Sequence, residues 1–177
     1  MTNQIFGVIS EYKDPTELIK AATEVRKKGY TNFDVYTPFP VHGMDDAMGL
    51  PSSKLPWLVL FSGMFGCSVG LILQIWVSAV EYPLIISNKP FLSIPAFIPV
   101  TFELTILFSA FAAVFGMFAL NKLPMFHHPI FNAPNITKAT DDGFFLCVFS
   151  SDPNFKLELV TELLNSLNGK NTEKVML

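Results

Sequence analysis

The stretch FIPVTFELTILFSAFAAVFGMFAL, residues 97–120, decides the fold, because it is one apolar run broken by a single charge, Glu103. A companion run at residues 57–80, WLVLFSGMFGCSVGLILQIWVSAV, carries no charge at all. A hydrocarbon core about 30 Å thick needs roughly 20 apolar helical residues rising about 1.5 Å each, and both runs clear that length. They read as two transmembrane helices. An ionisable group at such depth costs roughly 2–3 kcal/mol even on lenient insertion scales, so Glu103 calls for a functional explanation.

Half of the 177 residues are hydrophobic and the mean hydropathy is +0.41, too apolar for an ordinary water-soluble domain. Outside the two runs about 130 residues remain, enough for one compact soluble domain. The net charge of −3 comes from interspersed acids and bases, which gives no electrostatic case for nucleic acid. The N-terminal residues run straight into a strand-like segment with no basic stretch ahead of an apolar one, so the first apolar run is expected to act as its own insertion signal. Cys67 falls within the first run and Cys147 in an expected strand, so a disulfide between them is not expected. Neither belongs to a Cys-x-x-Cys pattern and neither apolar run holds a histidine, so no haem, iron–sulfur cluster or other cofactor is expected.

Lysine placement sets the expected orientation. Lys54 precedes the first run, Lys122 and Lys138 follow the second, and the connecting segment 81–96 has only Lys89. Both termini are therefore expected in the cytoplasm, with a short outward loop containing Pro83, Pro90 and Pro95. Trp57, Trp76 and Tyr82 fall where amphipathic rings favour the membrane boundaries.

The segments flanking the hairpin echo each other. In residues 1–37, Ile5 to Ile9 form a short strand ending at Ser10, and Asp14-Pro15 opens a helix, with Asp as N-cap and Pro at the first helical position. Leu18, Ala21, Ala22 and Val25 share one face, Gly29 stops the helix, and residues 32–36 read as a strand. In residues 143–177 a strand at 144–149 is followed by Asp152-Pro153 at the opening of a helix. That helix carries Leu157, Val160, Leu164 and Leu167 on one stripe, and Asn168-Gly169 ends it before a strand at 173–177. Two βαβ units predict a ferredoxin-like cytoplasmic domain, split by the hairpin, with the first and third strands innermost. The whole is an α+β membrane protein: residues 1–37 and 143–177 form the two halves, 38–56 and 121–142 are Pro-rich tethers, 57–80 and 97–120 are the helices, and 81–96 is the periplasmic loop. Residues 144–149 are apolar on both faces, so whatever the helices leave bare must meet the tethers or another protein.

Counted inward from the loop, Gln74 and Glu103 lie at the same depth, roughly 9 Å in. One reading is a polar clasp in which Gln74 bonds a protonated Glu103; the other is a proton relay, with Glu103 beside a water path or a neighbouring subunit's quinone pocket. Ser62, Gly66 and Gly70 on the first helix, and Ala112 and Gly116 on the second, form small-residue stripes suited to close helix packing, within the hairpin or against partners. A metal site at His42, His127 and His128 would need the tethers to meet; these read as ordinary surface or capping groups. Asp45, Asp46, Asp141 and Asp142 read as loop charges and caps. No catalytic pair or phosphate loop stands out, so no enzyme activity is expected of the chain alone.

Four segments carry a resemblance: Tyr36-Thr37-Pro38-Phe39-Pro40-Val41-His42-Gly43, Pro95-Ala96-Phe97-Ile98-Pro99-Val100-Thr101-Phe102-Glu103-Leu104, His128-Pro129-Ile130-Phe131 and Asp141-Asp142-Gly143-Phe144-Phe145-Leu146. With the hairpin inside a split domain, they resemble the D subunit of bacterial alternative complex III along essentially the whole chain. The resemblance implies a cofactor-free subunit of a quinol-oxidising complex of the inner membrane. Its partners would be a multihaem cytochrome c, an iron–sulfur subunit and quinone-associated membrane subunits, which it would brace within the lipid bilayer. It does not settle the role of Glu103. The alternatives are a regulatory membrane sensor, whose ferredoxin-like domain would bind a ligand, and a minimal channel with many copies of Glu103 facing a pore.

Overall fold

The computed structural model describes residues 4–85 and 87–177; residues 1–3 of the first half and Ile86 of the connecting segment lie outside the described residues. In chain order the elements are β1 (Ile5–Tyr12), α1 (Pro15–Lys27), β2 (Phe33–Tyr36), α2 (Met44–Met48), α3 (Leu55–Trp76), α4 (Ile94–Leu120), β3 (Phe144–Phe149), α5 (Leu157–Ser166) and β4 (Lys170–Met176). A π-helical turn, Val77–Glu81, prolongs α3, and two 3-10 turns, Pro129–Asn132 and Ile136–Thr140, precede β3. The chain divides into a sheet unit, made of the residues up to Pro51 together with Phe126–Leu177, and a helical unit, Ser52–Met125.

The sheet unit is mixed α+β, built on a four-stranded antiparallel sheet in the order β2-β3-β1-β4. Its two central strands come from opposite sides of the hairpin in sequence, with Gly7 opposite Phe149, Ile9 opposite Cys147 and Tyr12 opposite Phe144. Asp14 caps α1, accepting a 2.9 Å bond from the Glu17 amide, and Leu18, Ala21, Ala22 and Val25 are the buried residues of that helix. They meet Val160 and Leu164 of α5 over Val8, Leu146 and Val148, so both helices cover one face of the sheet. The other face, Ile9, Phe145, Cys147 and Val175, is covered by Ile130 and Ile136 of the two 3-10 turns and by Ala133 between them. The second tether thus supplies the missing layer. Burial there pushes the Cys147 thiol up to about 12, so it is neutral at physiological pH.

Several boundaries differ from the sequence reading: α3 and α4 begin at Leu55 and Ile94 rather than 57 and 97, and the sheet unit shows larger changes. β1 continues past Ser10, because Glu11 and Tyr12 still pair with Phe145 and Phe144. β4 begins at Lys170 rather than 173, drawn back by the Glu11–Lys170 pairing. α5 opens at Leu157, not at Asp152-Pro153. Asp152 serves instead as an acceptor between turns. Its carboxylate takes bonds from the amides of Thr31 (2.7 Å), Asn32 (2.8 Å) and Asn154 (2.8 Å). Asn154 in turn donates to the Gly29 carbonyl at 2.9 Å, and Asn32 to the Ser151 hydroxyl at 2.6 Å. A residue that resembles a helix cap therefore ties the α1–β2 turn to the turn after β3.

Burial of Asp152 would raise its pKa, but the amides of Asn154, Asn32 and Thr31 outweigh that and hold it below the ordinary carboxylate range. A folded-state pKa below the unfolded one means stability that is present at neutral pH and lost as pH falls through the folded value. Asp152→Ala, which leaves three amides short of their acceptor, is expected to cost about 2–3 kcal/mol at pH 7. Thermal unfolding followed against pH checks both points, because the gap between wild type and variant should close in acid.

Candidate functional site in the helical hairpin

α3 and α4, counting the π-turn, are both long and apolar enough to cross a membrane. Their seam is lined by glycine. Gly63, Gly66 and Gly70 are the buried residues of α3. A Cβ added at Gly66 would stand 2.5 Å from the Leu104 carbonyl oxygen, and one at Gly70 would stand 3.0 Å from Thr101 Cα. The backbones touch where no side chain could fit between them. Gly116 of α4 plays the reciprocal part, lying under Leu55 and Leu58 of α3. Ser62 and Ala112 are half-buried, while Gly63 takes the buried position beside Ser62. At Gly63, Gly66, Gly70 and Gly116 the two helices therefore meet each other directly.

The polar groups of the hairpin divide into two sets. Gln74 reaches across the seam: its side-chain amide donates to Thr101 Oγ1 at 3.1 Å, to the Phe97 carbonyl at 3.0 Å, and along its own helix to the Gly70 carbonyl at 2.9 Å. Thr105 Oγ1 donates to the Thr101 carbonyl at 2.7 Å, keeping that hydroxyl paired on its own helix. Glu103 is not part of this group. Two residues beyond Thr101, it lies roughly 200° further round the helix, at about 100° per residue. It is exposed there beside Phe102 and Ile106, and no hydrogen bond reaches its carboxyl among the described residues. Equal depth in the hairpin thus does not bring Gln74 and Glu103 together; Gln74 bonds the Phe97–Thr101 turn.

Thr101 is the polar partner that the sequence reading missed. Phe97, Thr101, Leu104 and Phe108 recur at spacings of four, three and four, a helix–helix seam pattern that leaves Glu103 off the seam. Beside this seam an open apolar groove of about 770 Å³ runs past Gly63 and Cys67, with Thr105 and Ser109 on its far wall. In the sheet unit, His42 and His127 are exposed, and His128 Nδ1 accepts a 3.3 Å bond from the Ile130 amide while its ring meets Phe6 edge-on. Among the described residues no group of three His, Cys, Asp or Glu side chains could hold a metal ion.

The family described as "Alternative complex III, ActD subunit" matches residues 6–174 of this chain. No curated protein matches the sequence closely enough for comparison.

Replacing Gly66 by Val should force the helices apart and cost about 1–3 kcal/mol, the usual penalty for overpacking a closed contact. Gln74→Leu removes the cross-seam bonds and should cost about 1 kcal/mol, in line with interhelical bonds in membranes. Thermal inactivation midpoints of the detergent-extracted chain should rank wild type above Gln74→Leu and Gln74→Leu above Gly66→Val.

Proposed function

Because the chain belongs to the ActD family of alternative complex III subunits, we propose that it is a cofactor-free structural and assembly subunit of that membrane oxidoreductase complex, one that also presents a proton-handling carboxyl, Glu103, to a neighbouring subunit. The observation that carries this reading is the outward exposure of Glu103 on an otherwise apolar helix. Left against lipid, the carboxyl would cost roughly 2–3 kcal/mol, so it belongs where a partner's polar group or a water path receives it. The rest of the hairpin is likewise open to neighbours. Phe61, Phe65, Ile72, Phe102, Phe111 and Phe115 all face outward, and two helices alone leave most of their surface for lipid or for other membrane helices.

The sheet unit completes the reading. Strand order β2-β3-β1-β4 with both helices on one face supports a split ferredoxin-like domain, and the antiparallel hairpin returns the chain to the side it left. Lysines at the hairpin base support placing that domain and both termini in the cytoplasm, beneath the inner membrane of a bacterium. The partners in this reading are the cytochrome, iron–sulfur and quinone-associated membrane subunits that oxidise quinol. This chain braces them and does no electron transfer of its own.

Glu103→Gln keeps the shape of the side chain and removes its ability to lose a proton. The assembled complex is expected to form in wild-type amount but to turn over quinol at least about tenfold more slowly, within the range of general acid–base contributions. Native electrophoresis with a haem stain measures assembly, and quinol oxidation measures turnover. Full turnover in the variant would reduce Glu103 to a structural polar contact. Migration of the wild-type chain apart from haem-containing subunits would remove the assembly role as well.

A further inference from the structure

Strand alternation places Asp34 on the sheet face of Ile9, Phe145 and Cys147, whose other carboxylate, Glu11, is paired with Lys138 at 3.2 Å. Its partner across the β2–β3 pairing is Cys147, and Cys147 packs with Ile9, Phe145 and Val175 beneath the 3-10 turns. β2 is an edge strand, and the layer above it does not close over Asp34. A cavity of about 490 Å³ remains there, bounded by Tyr36, Ile130, Phe131, Ile136 and Thr140, with His128 at one side. One carboxylate oxygen of Asp34 accepts a 2.9 Å bond from the Val35 amide; among the described residues no cation pairs with the carboxylate. His128 stands at one side of the cavity, its Nδ1 accepting from the Ile130 amide. Burial pushes the Asp34 carboxyl upward, and the Val35 amide and nearby His128 offset that only in part.

The geometry points to this cavity as the seat of a basic side chain, lysine or arginine, from a partner subunit, its charged end on Asp34 and its methylene stem along Ile130, Ile136 and Phe131. Shape and chemistry agree on that occupant. The walls are mostly apolar with one anion set among them, which suits a long aliphatic chain ending in a cation. Tyr36 and Phe131 add ring surface on which a guanidinium can lie. The inference rests on the reading of this chain as a subunit held among partners. The bland account of Asp34 is that an inward charge on an edge strand discourages sheet-to-sheet pairing of stray chains.

The test uses the whole complex, extracted in mild detergent and bound through a tag on another subunit. With Asp34→Asn, release of this chain on washing with raised salt is expected to increase at least about tenfold over wild type. Carbodiimide with glycine ethyl ester, applied without any substitution, should modify Asp34 several-fold less in the complex than in the isolated full chain. Equal release together with equal labelling overturns the proposal, as does a variant whose only change is aggregation of the isolated chain. Protection of Asp34 in the isolated chain by free agmatine, with no difference in the complex, overturns it in favour of a diffusible cation. If the wild-type chain is not retained by the tagged complex at all, the subunit reading fails first, and that result is distinct from a failure at Asp34.

Discussion

The pairing of β1 with β3 is the contact on which the rest of the molecule depends. It joins Gly7 to Phe149 and Tyr12 to Phe144, strands that lie on opposite sides of the entire helical hairpin in the sequence. Neither half can be stable without it. Without it the sheet would fall into two separate two-stranded ribbons, β2-β3 and β1-β4, each marginal by itself. The approach is also intolerant of bulk, because a Cβ at Gly7 would stand 2.5 Å from the Val148 carbonyl oxygen. The loop closed by this pairing is long, and loop entropy grows only slowly with length, so the cost is bearable once the ends are brought near each other. The hairpin does that. Gly66 meets Leu104 and Gly116 meets Leu58, so α3 and α4 run antiparallel and the chain leaves and returns at the same end.

Around that pairing the sheet unit uses each segment twice. The second tether connects α4 to β3, and it also forms the lid over the second face of the sheet through Ile130, Ala133 and Ile136. The turn after β3 leads to α5, and through Asp152 it also satisfies the amides of Thr31 and Asn32 at the start of β2. A charged acceptor bonded by three backbone amides is a stronger tie than an apolar contact of the same size, and it fixes register as well as distance. Both cysteines are free, one in each unit, and these ties join the segments of the sheet unit without them.

Much of this was legible in the sequence because it followed from local rules. The α1 stripe of Leu18, Ala21, Ala22 and Val25, the Asp14 cap and the limits of β3 all come from periodicity and capping, which tertiary context left unaltered. Asp152-Pro153 misled because the same pair that starts a helix also makes a compact turn. Only the partner amides, more than a hundred residues away, decide between the two. The 3-10 turns of the tether gave no periodic signal, being too short to repeat. In the hairpin, the glycine stripe was visible but its partner was not, and counting depth without counting angle set Gln74 beside Glu103 when its bonds go to Thr101.

That difference of angle separates the two polar residues by role. Gln74 spends its donors inside the seam, where hydrocarbon is excluded by the neighbouring helix and each bond replaces one that water would have made. It stabilises the hairpin whether or not anything surrounds it. Glu103 contributes no bond to that seam and is exposed on an apolar helix, where a charge is costly. A residue that adds no internal bond and carries a solvation penalty is accounted for by what lies outside the chain. The seam is thus closed without Glu103, whose side chain is exposed on the outside of the hairpin.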